Sequence, residues 1–225
     1  MYKHLLFDAD NTLLDFNAGE RCALQGALNS SPLEFSEEVY KCYHEINASL
    51  WKDLERGEIE RKQLRILRFE RLFDEFGLDG SVYSHDIDGI YLEQMKNQAQ
   101  VFDGVWEVLD YLHVKYKMYI ITNASVRVQK NRLTNAGFHK YFEKYYISEE
   151  IGTDKPGKDF FDHVVSDIGD DLCSYLVIGD SLSSDIKGAI ISGIDSCYLD
   201  HSGKGAHPFT PQYIIRDIRE LIEIL

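Results

Sequence analysis

The run Leu5-Leu6-Phe7, followed at once by Asp8-Ala9-Asp10-Asn11-Thr12, constrains this chain more than any other stretch. A short apolar run bounded by polar residues reads as a buried strand that stops there. In an open α/β sheet, ligands bind outside the carboxyl ends of the strands. Asp8 and Asp10 fall at that edge, and the period-two alternation of strand side chains starts them on the same side. One carboxylate could attack while the other handles protons. A lone Asp-x-Asp is also a common solvated turn in which the side chains bond nearby backbone. The weight comes from what recurs downstream.

Four further segments read as strands: Lys117–Ile121, Lys144–Ile147, Tyr175–Ile178 and Cys197–Leu199, in addition to Lys3–Phe7. From the second onward they alternate with helical patterns, the signature of βαβ units and a parallel sheet. Val105–Leu112, Val126–Ala136 and Phe160–Ile168 are the expected helices, the last two stopped by Gly137 and Gly169. Between about Phe16 and Asn97 no strand is predicted. Val39, Tyr43, Ile46, Leu50 and Leu54 recur at helical spacing, with Ser36 as N-cap and Gly57 as stop. A second helix is expected from about Ile59 to Phe76 and a third from about Asp86 to Lys96. The expected fold is therefore α/β: a Rossmann-like open parallel sheet formed by residues 1–15 and 98–225, with an all-helical domain, 16–97, inserted between strands one and two.

At 225 residues with 44% hydrophobic content, the chain can bury a substantial core, which excludes disorder. A net charge of −14 argues against binding to nucleic-acid polymers, which leaves a basic footprint. It does not exclude small anionic substrates, because a bound cation reverses the local field. Cys22, Cys42, Cys173 and Cys197 form no CxxC pair, so neither a disulfide framework nor a zinc site is expected, and they read as small buried hydrophobes. No signal peptide and no apolar stretch of about 18 residues is found. A cytoplasmic protein without a membrane partner, monomeric or a small homo-oligomer, is the expectation.

Three polar clusters follow predicted strands. Thr122-Asn123 supplies a hydroxyl and an amide that could donate to an anionic oxygen. Lys155-Pro156 supplies a compact positive charge suited to phosphate. Gly179-Asp180, with Asp185 five residues on, places two carboxylates at one strand end, a donor set suited to a hard divalent cation such as Mg²⁺. Asp185 also fits an acid at a helix N-terminus. Each is modest alone. Their order, each at a strand's carboxyl end, is specific.

In that order the clusters resemble the four motifs of the haloacid dehalogenase-like hydrolase superfamily: Asp8-Ala9-Asp10-Asn11-Thr12, Thr122-Asn123, Lys155-Pro156 with Phe160, and Gly179-Asp180 with Asp185. The helical insert is similar to that family's helical-bundle cap. A closer resemblance is to the YjjG-like pyrimidine 5′-nucleotidases, carried by Asn47-Ala48-Ser49-Leu50-Trp51, Gly57-Glu58-Ile59, Arg68-Phe69-Glu70 and Ile147-Ser148-Glu149-Glu150. Ala124 departs from the pattern, standing where Gly commonly follows Thr-Asn.

The resemblance implies a phosphatase acting through an aspartyl-phosphate intermediate. Asp8 would be the nucleophile, Asp10 the acid and base, and Lys155 a neutralising charge. Thr122 and Asn123 would bind phosphate. Mg²⁺ would be held by Asp8, the Asp10 backbone carbonyl, Asp180 and Asp185. Thr12 would shape the first turn. Asp10 separates this chain from the dehalogenases, which lack an acid there because halide leaves unprotonated. Phe16, Asn17, Trp51 and Arg68 are the candidate specificity residues. Arg61, Arg65 and Arg68 form a stripe that mostly reads as a solvated helix face, and Lys52 and Lys62 read as surface lysines rather than phosphonatase-type Schiff-base residues. Alternatives are a sugar-phosphate phosphatase, a phosphoglucomutase-type enzyme, and a non-catalytic phospho-ligand sensor, which would not need both Asp8 and Asp10.

Overall fold

The computed structural model describes residues 1–203 and 208–225. In chain order its elements are β1 (His4–Phe7), α1 (Phe16–Leu28), α2 (Glu37–Glu55), α3 (Arg61–Glu75), α4 (Gly80–Met95), α5 (Val105–Leu112), β2 (Lys117–Thr122), α6 (Val126–Asn135), β3 (Phe142–Ile147), α7 (Ser148–Ile151), α8 (Lys158–Ile168), β4 (Tyr175–Gly179), α9 (Lys187–Ser192), β5 (Asp195–Leu199), β6 (Tyr213–Ile215) and α10 (Leu221–Ile224). They divide into two compact units: Met1–Phe16 with Ala99–Leu225, and Asn17–Gln98.

The first unit is built on a six-stranded sheet of order β3-β2-β1-β4-β5-β6, parallel throughout. All four β1 residues are buried because both sheet faces are covered. Leu5 and Phe7 point into one apolar cluster with Val108, Leu112, Ile120 and Ile178. Leu6 points into the other with Ile121, Phe160, Val164 and Val177. Each such side chain contributes roughly 1.5–3 kcal/mol on burial. The register Phe7↔Ile120 and Phe7↔Ile178 brings the carboxyl ends of β1, β2 and β4 level. Strand order reverses at β1, so the β1 end is the switch point where such sheets bind ligands.

β6 was not anticipated. It has three residues, too few to show a period, and it earns its place by pairing with β5. The cysteines also differ from expectation: Cys197 is buried, but Cys22 and Cys173 are exposed and Cys42 lies between. All four are free.

The second unit holds most of α1 and all of α2–α4. Ser36 caps α2 as expected, its hydroxyl accepting the Val39 amide at 3.2 Å. α4 begins at Gly80, six residues earlier than predicted, because Asp79 accepts the Ser81 amide as an N-cap. Gly80 is required there by close approach: a Cβ would lie 2.3 Å from the Glu70 carbonyl oxygen. The aromatic centre is Tyr43, Phe69 and Tyr91, with ring centroids 5.4–5.7 Å apart. Where the chain leaves and re-enters the first unit, Leu14 pairs antiparallel with Val101. The Asp15 amide donates to Gln100 and the Phe102 amide to Leu13, at 2.9 and 3.0 Å. Among the described residues, no helix is long and apolar enough to cross a membrane.

Candidate active site

Asp8 follows β1 directly, and its amide continues the ladder by donating to Ile178 at 2.8 Å. The next residues fold back: Leu13 and Leu14 both donate to the Ala9 carbonyl. Asn11 sits at φ 60°, a left-handed conformation that Asn tolerates better than most residues. Thr12 is fully buried, its hydroxyl 3.4 Å from Asp180 Oδ1. This ties the first turn to the end of β4.

Lys155 joins the strand ends. Its Nζ donates to Asp8 Oδ1 at 2.7 Å, Asp185 Oδ1 at 2.6 Å and the Ile121 carbonyl at 2.9 Å. All three ammonium protons are used, and the side chain is 1% exposed. Burial works against the charge, but Asp185 and Asp8 outweigh it and raise the Lys155 pKa. Asn123 holds this lysine by its main chain. Its Oδ1 accepts the Lys155 amide at 2.8 Å and its Nδ2 donates to the Lys155 carbonyl at 2.7 Å. Both polar atoms of the Asn123 side chain thus engage the main chain of Lys155.

Asp8, Asp180 and Asp185 place one carboxylate oxygen each within 4.8 Å of one another. Burial pushes the Asp8 carboxyl up to about 7, with Lys155 opposing and Asp185 and Asp10 adding to the rise. Asp180 is raised well above the usual range, first by burial and then by Asp8 and Asp185. Three crowded carboxylates facing one ammonium are short of positive charge, and hard oxygen donors suit a divalent cation such as Mg²⁺. The residues fit that ion. Asp185 is held by its own turn, Oδ2 accepting the Ser181 amide at 3.1 Å. A Cβ on Gly179 would lie 2.3 Å from that same oxygen, so the strand must end in glycine.

Asp10 lies apart from this cluster. Its carboxylate meets two donors from α6: Arg132 Nη1 at 2.5 Å on Oδ1 and Gln129 Nε2 at 3.1 Å on Oδ2. Gln129 Nε2 is also 3.3 Å from Thr122 Oγ1, and its Oε1 accepts from Arg132 at 3.0 Å. Neither residue was anticipated. The signal was present, since Val128, Gln129, Arg132 and Leu133 project within one arc of the helix and all four are buried. The Phe16 ring packs 5.7 Å from the Arg132 guanidinium. α6 starts without a cap from Ser125; instead Glu149 accepts the Val126 amide at 2.6 Å, a negative charge at the positive end of the helix.

In the helical unit, Arg68 is 6% exposed and donates to Asp88 Oδ1 at 2.7 Å, with its guanidinium 4.5 Å over the Tyr91 ring. Arg65 donates to Asp88 Oδ2 at 2.6 Å. Two of the three arginines in the expected solvated stripe are thus committed to an acid on α4. Trp51 is half-buried with the Arg61 guanidinium 5.4 Å over its ring, and Asn17 is exposed.

A family model described as haloacid dehalogenase-like hydrolase matches residues 2–193. The chain is 33% identical to the HAD-hydrolase YfnB of Bacillus subtilis, over 100% of this chain and 95% of that one. A structure of YfnB bound to magnesium superposes with a TM-score of 0.92, covering 100% of this chain and 98% of that one. The pyrimidine 5′-nucleotidase PynA of Streptococcus pneumoniae is 35% identical over 100% and 95% of the two chains. The pyrimidine 5′-nucleotidase YjjG of Escherichia coli is 29% identical over 98% and 96%.

Proposed function

The chain belongs to the haloacid dehalogenase-like hydrolases, and on that premise we propose that it is a Mg²⁺-dependent 5′-nucleotidase preferring pyrimidine nucleoside monophosphates. Hydrolysis of phosphoric monoesters follows from the family and its nucleotidase relatives. The observation that carries the reading further is the Lys155 ammonium set between Asp8 and Asp185, with a second aspartate, Asp10, held on its own donors. A nucleophile, a neutralising charge and a separate proton carrier are what stepwise phosphoryl transfer needs.

With Lys155 on Oδ1, the second oxygen of Asp8 attacks phosphorus while the bond to the leaving oxygen breaks. Asp10 gives that oxygen its proton. Water then attacks the aspartyl phosphate, Asp10 takes the water's proton, and Asp8 is freed with inorganic phosphate. Thr122 donates to a phosphoryl oxygen. Asp8, the Asp10 carbonyl, Asp180 and Asp185 would hold Mg²⁺, which supplies neutralising charge for the phosphoryl oxygens. The helical unit serves as the cap that selects substrate, with Phe16, Asn17, Trp51 and Arg68 as specificity residues. Arg68 acts there through the geometry it shares with Asp88.

The test is a panel of phosphate esters with Mg²⁺: uridine and thymidine monophosphates, purine monophosphates and hexose phosphates. The highest kcat/KM is expected on the pyrimidine nucleotides, with turnover abolished by chelation. A preference for hexose phosphates, or their isomerisation without release of phosphate, would replace this reading with the sugar-phosphate or mutase one.

A further inference from the structure

Both oxygens of Asp10 are held by one helix. Arg132 takes Oδ1 and Gln129 takes Oδ2, and the two are themselves bonded. They lie three residues apart, on neighbouring turns of α6 and on its buried face. Arg132 is 1% exposed, whereas the Asp10 side chain keeps 24% of its surface. The cation is locked in the interior, and the carboxylate it holds stays reachable. Gln129 extends the contact to Thr122, so the arrangement links the ends of β1 and β2.

We propose that Arg132, assisted by Gln129, is the positioning residue for Asp10, fixing where its carboxyl group meets the leaving oxygen and the incoming water. Arg132 itself touches neither. The inference rests on the phosphatase reading, because it assigns Arg132 a share in the two proton transfers of that reaction. In the first, the proton passes from Asp10 to the leaving oxygen as the P–O bond breaks and the electron pair stays on oxygen. In the second, water's proton returns to Asp10 as its oxygen bonds to phosphorus. Nothing is oxidised or reduced.

The consequence is selectivity for the leaving group. A nucleoside alkoxide must be protonated as it departs, whereas p-nitrophenolate leaves unassisted. First-turnover rates of leaving-group release are therefore compared for uridine monophosphate and p-nitrophenyl phosphate in Arg132→Met, Arg132→Lys, Asp10→Asn and the Asp10→Asn/Arg132→Met double variant. Misplacing a general acid costs about 10²-fold. Arg132→Met should lose about that on the nucleotide and less than about fivefold on the aryl ester, with Arg132→Lys recovering part of the loss. The double variant should be no slower than Asp10→Asn, since residues acting as a unit are not additive.

Equal losses on both esters, or losses that multiply in the double variant, would overturn the inference. If Arg132→Met does not fold, Gln129→Leu keeps both charges and must shift the ratio of the two rates in the same direction; an unchanged ratio counts against the proposal. Should Asp10→Asn itself release nucleoside at the wild-type rate, the proton-carrier reading of Asp10 fails. Loss in Asp10→Asn with none in Arg132→Met or Gln129→Leu sinks only the positioning role.

Discussion

Two buried clusters of opposite charges, one in each unit, are balanced in opposite ways. In the sheet unit, three carboxylates (Asp8, Asp180 and Asp185) face the single ammonium of Lys155. In the helical unit, two guanidinium groups (Arg65 and Arg68) converge on the single carboxylate of Asp88, with the Tyr91 ring taking one face of Arg68. The first cluster is short of cations and sits where three strand ends leave backbone and side chains pointing at one spot. The second has enough donors for its acid and lies between two helices. Burial alone does not mark a site. A deficit that the chain's own residues leave unfilled does.

That contrast can be broken first at Asp8. Asp8→Asn should lower turnover of any phosphate ester by on the order of 10⁴-fold or more, the usual scale for losing a nucleophile. It should leave thermal stability unchanged or higher, because one crowded carboxylate is gone. A variant that keeps turnover would remove Asp8 from the chemistry. Asp88→Asn should behave in the opposite way. Removing one member of a buried pair leaves an uncompensated charge and costs about 3–5 kcal/mol in denaturant unfolding. Turnover of p-nitrophenyl phosphate per folded molecule should stay within about threefold. A stable variant would make the Arg68–Asp88 pair dispensable.

The deficit itself can be titrated. Mg²⁺ at about 100 times its dissociation constant should stabilise the wild type by about 2.7 kcal/mol. Asp180→Asn should lose most of that gain and Asp88→Asn none of its own. A gain surviving in Asp180→Asn would place the cation elsewhere.

The smallest effect concerns His44, whose Nδ1 lies 2.7 Å from Glu20 Oε2 within the helical unit. The hydrogen bond to Glu20 raises the His44 pKa above 6.5. A raised cation contributes stability that is fully present below the unfolded value and is lost as pH climbs through the folded one. The stability difference between wild type and His44→Asn should therefore shrink as pH rises from about 6.5. A difference that grew with pH would give the contact the wrong sign.

The strand ends were legible because buried strands in a covered parallel sheet are uninterrupted apolar runs, and the residue after each run is unambiguous. Asp8, Thr122 and Asp180 could be read that way; Lys155, which bonds Asp8 and Asp185, follows a loop and needed the family resemblance. The pairing of Asn123 with the Lys155 main chain was not legible, because an amide serves equally well beside phosphate or beside a main chain and the spacing in sequence does not bring the two residues together. Arg132 and Gln129 were passed over for a different reason. Polar side chains on a helix read as solvated; their shared arc with Val128 and Leu133 places them inside, and the contact of Arg132 with Asp10, 122 residues away, gives them a partner. Arg68 carries the same lesson: a basic stripe that reads as solvated meets Asp88 on α4, and spacing within one helix does not show which neighbouring helix face it packs against.

The short antiparallel contact between Leu14 and Val101 gives the chain an editing point. The segment from 15 to 100 departs and returns through neighbouring backbone that is hydrogen-bonded to itself, so the sheet registers only the two ends and not the length between them. Loop-closure cost grows slowly with length. Insertions, deletions or wholesale replacement of the helical segment can therefore accumulate while β1 and its two aspartates stay where they are. On the proposed function, in which the helical segment selects substrate, lineages descended from such a chain are free to diversify substrate range while the chemistry is inherited intact.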